Sequence, residues 1–223
     1  MNKVLFGLKV LGHSLFSTGI GILVFAYVPI LYSELYYGLI VKGKHLDSPD
    51  IKPVENIDTG PDYANIQPFV PENEKFSVII EKIGVNAPVI ADVSTVNNTE
   101  YTEALKQGVA HAQGTAKPGK KGNMFLFAHS SINFWELGPY ATVFNLLNKL
   151  STDDTVIVYY EGRPYVYKVF ENNVVPGWDT TPYVEEYDVP VLTMVTCDPV
   201  GTTINRRIVK AKLFGNFKQS QGT

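Results

Sequence analysis

Short strand-like runs dominate the sequence from Phe76 onward and limit the folds that the chain can adopt. Seven runs are rich in β-branched and aromatic residues: FSVIIEKI, NAPVIA, NMFLFAH, DTVIVYY, RPYVYKVF, VLTMVTC and RRIVKAKL. Turn-forming residues such as Pro118-Gly119 and Glu161-Gly162 separate them. Only NNTEYTEALKQGV and YATVFNLLNKL have the pattern of short helices. This pattern favours an all-β antiparallel barrel or sandwich over a parallel α/β sheet.

An uncharged apolar run near the N-terminus predicts a membrane span. Residues 10–33 contain no Asp, Glu, Lys or Arg, and 24 residues of helix at about 1.5 Å each cross the roughly 30 Å hydrocarbon core. Lysines precede the run and tyrosines cluster at its far end, as at a membrane interface: Lys3, Lys9, Tyr27, Tyr32, Tyr36 and Tyr37. The alternative is a cleaved signal peptide. No small-x-small cleavage site follows, so an uncleaved signal-anchor is favoured.

Changes in composition divide the chain into five segments. Residues 1–9 precede the predicted span at 10–33. Residues 34–74 contain prolines at short intervals with neither strand nor helix periodicity, which predicts an extended linker. Residues 75–217 form the β-rich domain, and residues 218–223 form a C-terminal tail.

Charge and cysteine content exclude some functions. The net charge is -3 and no block of Lys or Arg occurs, so the electrostatic footprint of a nucleic-acid-binding protein is missing. The single cysteine cannot form an internal disulfide, so cysteine usage does not indicate the compartment. One Cys and two plausible His cannot complete a zinc shell, and we predict no metal. Glu185, Glu186 and Asp188 could collect calcium, but a solvated acidic loop is the simpler interpretation.

The lone cysteine, Cys197, is the candidate nucleophile. It ends an apolar run and precedes the turn-forming pair Asp198-Pro199, where a thiol can be both fixed and accessible. The alternative is a buried structural cysteine, because free Cys is among the most buried residue types. A neighbouring base would raise its thiolate fraction, and His129 ends another apolar run. Of the other histidines, His13 and His45 lie in the predicted span and linker, and His111 could be simple packing.

Two adjacent arginines follow the cysteine. In a strand, RRIVKAKL alternates its side chains, so Arg206 shares a face with Lys210 and Lys212. Arg207 falls on the other face with Val209 and Ala211. A fixed guanidinium can stabilise the oxyanion of an acyl-transfer intermediate, which makes Arg206 the candidate donor. Both arginines could instead be ordinary surface charges.

These residues together resemble a known family. The stretch LTMVTCDPVGTTINRR resembles the TLxTC signature of the sortases, which an arginine follows on the next strand. FLFAHSS resembles the strand that ends in the catalytic histidine of that family, and the preceding GVAHAQGTAKPGKKGN is also similar. The resemblance covers about residues 75 to 216, and the order His, Cys, Arg matches.

The resemblance implies a closed β-barrel of about eight strands and a cysteine transpeptidase without a cofactor. Cys197 would attack an LPxTG-like sorting signal near the C-terminus of a surface protein to form a thioester. An amine on a cell-wall precursor or a pilin would then resolve it. His129 would exchange protons with the two amines, Arg206 would steady the substrate, and Thr196 would help to bind it. Residues 1–9 would be cytoplasmic, and the linker and the domain at 75–217 would lie outside the membrane.

Other families that use a cysteine fit the order of the residues less well. Papain-like proteases place the cysteine before the histidine in the chain, whereas here His129 comes first. The arginine of L,D-transpeptidases follows the cysteine closely, whereas Arg206 lies nine residues after Cys197. A pilin-polymerising sortase remains an alternative. A membrane-tethered β-barrel that only binds a wall component or protein is the alternative from a different class.

Overall fold

Eight strands close into a barrel in the computed structural model, which describes residues 2–36, 38–39, 70–131 and 137–216. The strands are β1 (Phe76–Ile80), β2 (Val85–Val93), β3 (Val109–Ala112), β4 (Gly122–Phe127), β5 (Thr155–Tyr160), β6 (Arg163–Pro176), β7 (Pro190–Asp198) and β8 (Asn205–Asn216). They pair in the order β1-β2-β3-β4-β7-β8-β6-β5, and β5 pairs with β1. Because the ring is closed, the fold is the predicted barrel and not a sandwich.

Most neighbouring strands are antiparallel, but two pairs are parallel. β2 runs parallel to β3, and β4 runs parallel to β7. A parallel pair needs a crossover connection, and helix α2 (Asn98–Gln107) lies in the connection between β2 and β3. A much longer segment, which contains β5 and β6, connects β4 to β7.

Alternating side chains give β4, β7 and β8 two buried faces. The inward residues of these strands belong to the main core: Met124, Leu126, Leu192, Met194, Val209 and Ala211. The outward residues Phe125, Phe127, Val195 and Ile208 belong to a second apolar cluster that includes Ala104 and Leu105 of α2. Strands covered on both faces read as continuous apolar runs, which accounts for sequences such as NMFLF and VLTMV.

One predicted helix differs from the structure. Residues 140–150 form turns and a single 3₁₀ turn at Leu147–Lys149, with the side chains of Phe144 and Leu147 fully buried in the main core. Asn172 Nδ2 donates to the carbonyl oxygens of Leu147 at 3.0 Å and Leu150 at 2.7 Å. A side chain of β6 therefore satisfies carbonyls that a continuing helix would have bonded.

Helix α1 (Asn2–Tyr36) precedes the barrel and contains the predicted span. Its segment Phe6–Val24 has a mean hydropathy of 1.4, and none of it is buried against the barrel. Its length and composition are sufficient for a membrane span, and a signal sequence near the N-terminus would meet the same criteria. Most of the predicted linker and the tail at 218–223 lie outside the described residues.

A four-residue helix lies in the connection between β6 and β7. This helix, α3 (Thr181–Val184), belongs to the loop at 177–189. The Tyr183 hydroxyl donates to the Gln113 carbonyl oxygen at 3.1 Å, and Asn123 Nδ2 donates to the Pro182 carbonyl oxygen at 2.9 Å. The loop is therefore fixed to β4 and to the segment after β3.

Candidate active site

The parallel pairing of β4 and β7 brings His129 and Cys197 to the same edge of the barrel. Phe127 is the register partner of Val195, and the Ala128 amide donates to the Val195 carbonyl oxygen at 3.2 Å. The same register carried two residues further places His129 beside Cys197. His129 lies two residues after Phe127, and Cys197 lies two residues after Val195. Because Phe127 and Val195 face outward and side chains alternate, His129 and Cys197 belong to the outer face of the barrel.

The antiparallel pairing of β7 and β8 adds Arg206 to this edge. Arg206 is the register partner of Cys197, and the Cβ atoms of directly opposite residues lie about 4.5–5.5 Å apart. The Arg206 guanidinium donates to the carbonyl oxygens of Asn205 at 3.0 Å and Thr203 at 3.2 Å. Within the described part of the chain it forms no ion pair with a carboxylate, which leaves its remaining donors for an anionic group.

Arg207 points to the opposite face and has other partners. Its Nε and one terminal nitrogen donate to Asp198 Oδ2 at 2.9 Å and 2.6 Å. Its other terminal nitrogen donates to Asn172 Oδ1 at 3.2 Å. The two adjacent arginines therefore have different environments, and Arg206 is the one beside the thiol.

The site combines an accessible thiol with a largely desolvated imidazole. Cys197 is a free, half-buried cysteine. His129 is also half-buried, and its Nε2 atom is buried without a hydrogen-bond partner among the described residues. Burial lowers the pKa of His129 below its usual value, because the charged imidazolium loses contact with water. The neutral imidazole therefore predominates near pH 7.

The loops that follow β4 and β7 are joined to each other. The Gly201 amide, in the connection between β7 and β8, donates to the Ser130 carbonyl oxygen at 2.8 Å. This bond connects the segment after Cys197 with the residue after His129. It restrains the relative positions of the two side chains from the backbone side.

The structure gives Thr196 a contact within the sheet, and its predicted contact with substrate stays a prediction. Its side chain is 5% exposed and alternates with Cys197 toward the inner face. Thr196 Oγ1 donates to the Ala128 carbonyl oxygen at 2.8 Å. This hydrogen bond joins β7 to the end of β4.

The remaining histidine and the acidic loop have other partners. His111 is fully buried, and its Nε2 lies 3.0 Å from Thr115 Oγ1 and 3.1 Å from the Ala116 carbonyl oxygen. This is the packing role that the sequence left open for it. Glu185 and Asp188 form ion pairs with Lys210 at 2.8 Å and Lys121 at 2.7 Å. In the described ranges, no group of three or more His, Cys, Asp or Glu is arranged to hold a metal ion.

Tyr101 on α2 is a site neighbour that the sequence reasoning missed. Its ring stacks on Phe127 with the ring centroids 5.1 Å apart and the planes 13° apart. The available signal was the helical spacing of Tyr101, Ala104 and Leu105, which predicts one apolar face of α2. That spacing does not reveal which strands the face would cover.

Comparison with known proteins identifies the family. The family model of the sortase domain matches residues 78–214, which is more than half of the chain. The chain belongs to the sortase family. Its order of His, Cys and Arg, and the meeting of these residues at one barrel edge, agree with the resemblance of the sequence motifs.

Solved sortase structures share the fold. The Clostridium perfringens sortase D5 transpeptidase is 29% identical with a TM-score of 0.52, over 66% of this chain and 83% of that chain. Sortase C-1 of Actinomyces oris is 25% identical with a TM-score of 0.53, over 64% of this chain and 75% of that chain. Sortase C-1 of Streptococcus pneumoniae is 26% identical with a TM-score of 0.52, over 63% and 67%. No curated protein matches the chain.

Proposed function

We propose that the chain is a membrane-anchored cysteine transpeptidase that cleaves an LPxTG-like sorting signal and transfers the protein to an amine at the cell surface. The observation that carries the proposal is the convergence of three side chains on one edge. Cys197 lies opposite Arg206 in the β7–β8 ladder, and His129 lies two residues after the end of the neighbouring parallel strand β4. Membership of the sortase family supports the general reaction, because sortases are transpeptidases.

In the proposed first half-reaction, the Cys197 thiolate attacks the carbonyl carbon of the Thr–Gly bond. A carbon–sulfur bond forms, and the carbonyl π pair moves to the oxygen, where the Arg206 guanidinium stabilises the negative charge. The carbon–nitrogen bond then breaks, and His129 gives its proton to the departing amine. The product is a thioester between Cys197 and the surface protein.

In the second half-reaction an amine replaces the sulfur. His129, now neutral, accepts a proton as the amine nitrogen attacks the thioester carbonyl. The carbon–sulfur bond breaks and the thiolate returns. Because burial lowers the pKa of His129, only a minority of molecules carry the imidazolium that the first step requires at neutral pH. This supports slow turnover in the free enzyme.

The proposed acceptor is an amine of a cell-wall precursor, and a pilin lysine is the second candidate. Both are primary amines, so the chemistry at Cys197 is the same for the two. Offering a peptide with a free α-amine and a peptide with an internal lysine to the acyl-enzyme in competition tests this choice. Preferential capture by the lysine peptide would assign the enzyme to pilin polymerisation.

We further propose that helix α1 stays in the mature protein as a single-pass anchor with the barrel outside the membrane. The uncharged segment and the family support this arrangement, because sorting signals and acceptors are found outside the cytoplasmic membrane. Mass spectrometry of the N-terminus of membrane-extracted protein tests it. A new N-terminus after about residue 30 would show cleavage.

The decisive experiment for the activity is intact-mass spectrometry of the full chain in detergent with an LPxTG peptide. We expect a mass increase equal to the acyl portion of the peptide, and no increase for Cys197→Ala. His129→Ala should lose nearly all amine transfer, whereas His13→Ala, on α1, should retain it. If Cys197 can be alkylated without loss of peptide binding and no acyl-enzyme forms, the chain is a binding module instead.

A further inference from the structure

Tyr101 packs on the part of the barrel face that adjoins the three proposed catalytic residues. Its ring belongs to the outer cluster with Phe127, Val195 and Ile208. Each of these three residues lies two positions away from a proposed catalytic residue, on the same face of the barrel. Phe127 precedes His129, Val195 precedes Cys197, and Ile208 follows Arg206. Tyr101 therefore packs against the cluster that adjoins the proposed site, and its ring contacts Phe127 directly.

Helix α2 holds Tyr101 in a fixed position. The side chain of Asn97 caps the helix by accepting from the Glu100 amide at 3.3 Å, and Glu100 Oε1 accepts from the Ser94 amide at 2.8 Å. One turn further along, Ala104 and Leu105 are buried to 5% and 1% exposure. Capping at one end and burial at the other restrain the first turn of the helix. The stacked contact with Phe127 then sets the plane of the tyrosine ring.

The hydroxyl of Tyr101 lies within the electrostatic field of the thiol and the guanidinium. Burial raises the pKa of Tyr101, the charge of Cys197 raises it further, and Arg206 opposes the shift. The phenol consequently keeps its proton at neutral pH and can act as a donor. It donates to no other described residue, whereas the Tyr183 hydroxyl of the same cluster donates to Gln113.

We propose that Tyr101 is a further catalytic residue, whose hydroxyl donates a hydrogen bond to the substrate carbonyl oxygen in the tetrahedral intermediate. The inference rests on the proposed acyl transfer at Cys197. When the carbon–sulfur bond forms, the carbonyl π pair moves to the oxygen, which then accepts from Tyr101 on the α2 side and from Arg206 on the β8 side. The O–H bond of Tyr101 stays intact, and the proton for the departing group comes from His129.

Tyr101→Phe separates the hydroxyl from the ring. The variant keeps the stacking on Phe127, so the thermal unfolding midpoint should not change. Hydrogen bonds to charged groups contribute about 1.5–3 kcal/mol, so we expect a loss of about tenfold or more in kcat with KM unchanged. Tyr183→Phe is the matched control, because it removes the other cluster hydroxyl, which is bonded to Gln113, and it should retain the wild-type rate.

A second substrate makes the test independent of the sorting signal. p-Nitrophenyl acetate acylates a reactive thiol through the same kind of tetrahedral intermediate, so the burst of p-nitrophenolate from the full chain measures acylation of Cys197 without peptide recognition. Tyr101→Phe should slow this burst by a similar factor. An unchanged burst rate, or a rise in KM alone with the peptide, would overturn the role of Tyr101. A wild-type burst without peptide cleavage would instead count against the LPxTG proposal.

Discussion

At the scale of single residues, Arg206 and Arg207 show how one step along a strand changes the chemistry. Arg206 faces outward beside Cys197, and Arg207 faces inward to Asp198 and Asn172. The alternation of side chains along β8 sets this difference, because successive residues point to opposite faces. Arg206 is consequently the proposed oxyanion donor, because in the described structure its guanidinium is not paired with a carboxylate, whereas that of Arg207 is paired with Asp198.

We expect Arg206→Ala to lower the rate of peptide cleavage by about 10²–10³, the usual cost of removing one oxyanion donor. Arg206→Lys should be nearly as slow, because a lysine ammonium does not reproduce the planar donor geometry. Steady-state cleavage of a sorting peptide measures both.

Arg207→Ala is the matched variant. It should lower the thermal unfolding midpoint more than the rate, because it leaves the half-buried Asp198 carboxylate without its partner. The reverse pattern would transfer the catalytic role to Arg207.

Residue types and their order predicted Cys197, His129 and Arg206 as neighbours because each stands near the end or start of a recognisable strand, and their catalytic roles stay predictions. The surroundings of two other residues could not be read from the sequence, for physical reasons. Thr196 uses its hydroxyl within the sheet, and this depends on the exact distance between β4 and β7. Tyr101 is 96 residues away from Cys197 in the sequence, and only the docking of α2 brings it near. Neither fact is encoded in a local pattern.

At the scale of elements, one buried lysine holds the loop at 177–189 against the barrel. Lys210 is 8% exposed, and its Nζ lies 2.8 Å from Glu185 of the loop and 3.2 Å from Glu171 of β6. Burial alone would lower the pKa of Lys210, but its hydrogen bonds to these carboxylates raise the pKa above its ordinary value. The ammonium is therefore charged at all physiological pH values, and the contact persists.

Lys210→Met should loosen the part of the loop around Glu185, while the bonds at Pro182 and Tyr183 remain. We expect the free energy of unfolding to fall by about 1–3 kcal/mol, because two partly exposed carboxylates lose a common partner. A protease that cuts after glutamate should also cleave faster at the exposed Glu186.

Lys212→Met is the matched control, because Lys212 lies two residues along the same strand and is exposed near the Phe170 ring. Equal cleavage rates for the two variants would show that Lys210 does not restrain the loop.

The pattern of apolar residues predicted seven of the eight strands and the helix α2. Strand β3 was missed because it is only four residues long and closely follows α2, so the predicted helix took in its first residue, Val109, and the rest gave no strand signal. The segment 140–150 was predicted as a helix because its leucines have helical spacing. The burial of Phe144 and Leu147 in the main core, together with the bonds from Asn172 to the carbonyls of Leu147 and Leu150, favours turns instead.

At the scale of the whole molecule, burial of neutral histidines makes stability depend on pH. Burial is the largest cause of the lowered pKa values of both His111 and His129. The unfolded chain therefore binds protons first as the pH falls below about 6.5, which favours unfolding. Their contribution to stability is present above that pH and is lost toward the lower folded-state values.

We expect the thermal unfolding midpoint of the full chain to fall between pH 7.5 and pH 5.5. His129→Gln should reduce this fall, because one of the titrating groups is removed. His13→Gln, with its ring exposed on α1, should leave the fall unchanged. Equal pH dependence in the wild type and His129→Gln would contradict the assignment.

The parallel pairing of β4 and β7 also bears on how the molecule is made. His129 and Cys197 are 68 residues apart in the sequence, and the intervening chain contributes β5 and β6. Contacts between distant segments form late, because closing the long loop between them costs chain entropy before their packing stabilises the fold. A growing chain that has not yet completed β8 lacks both the second neighbour of β7 and the guanidinium of Arg206. In the proposed enzyme, the N-terminal helix of such a chain is complete long before the site can hold an acyl group, so activity is expected only after the last strand has closed the ring.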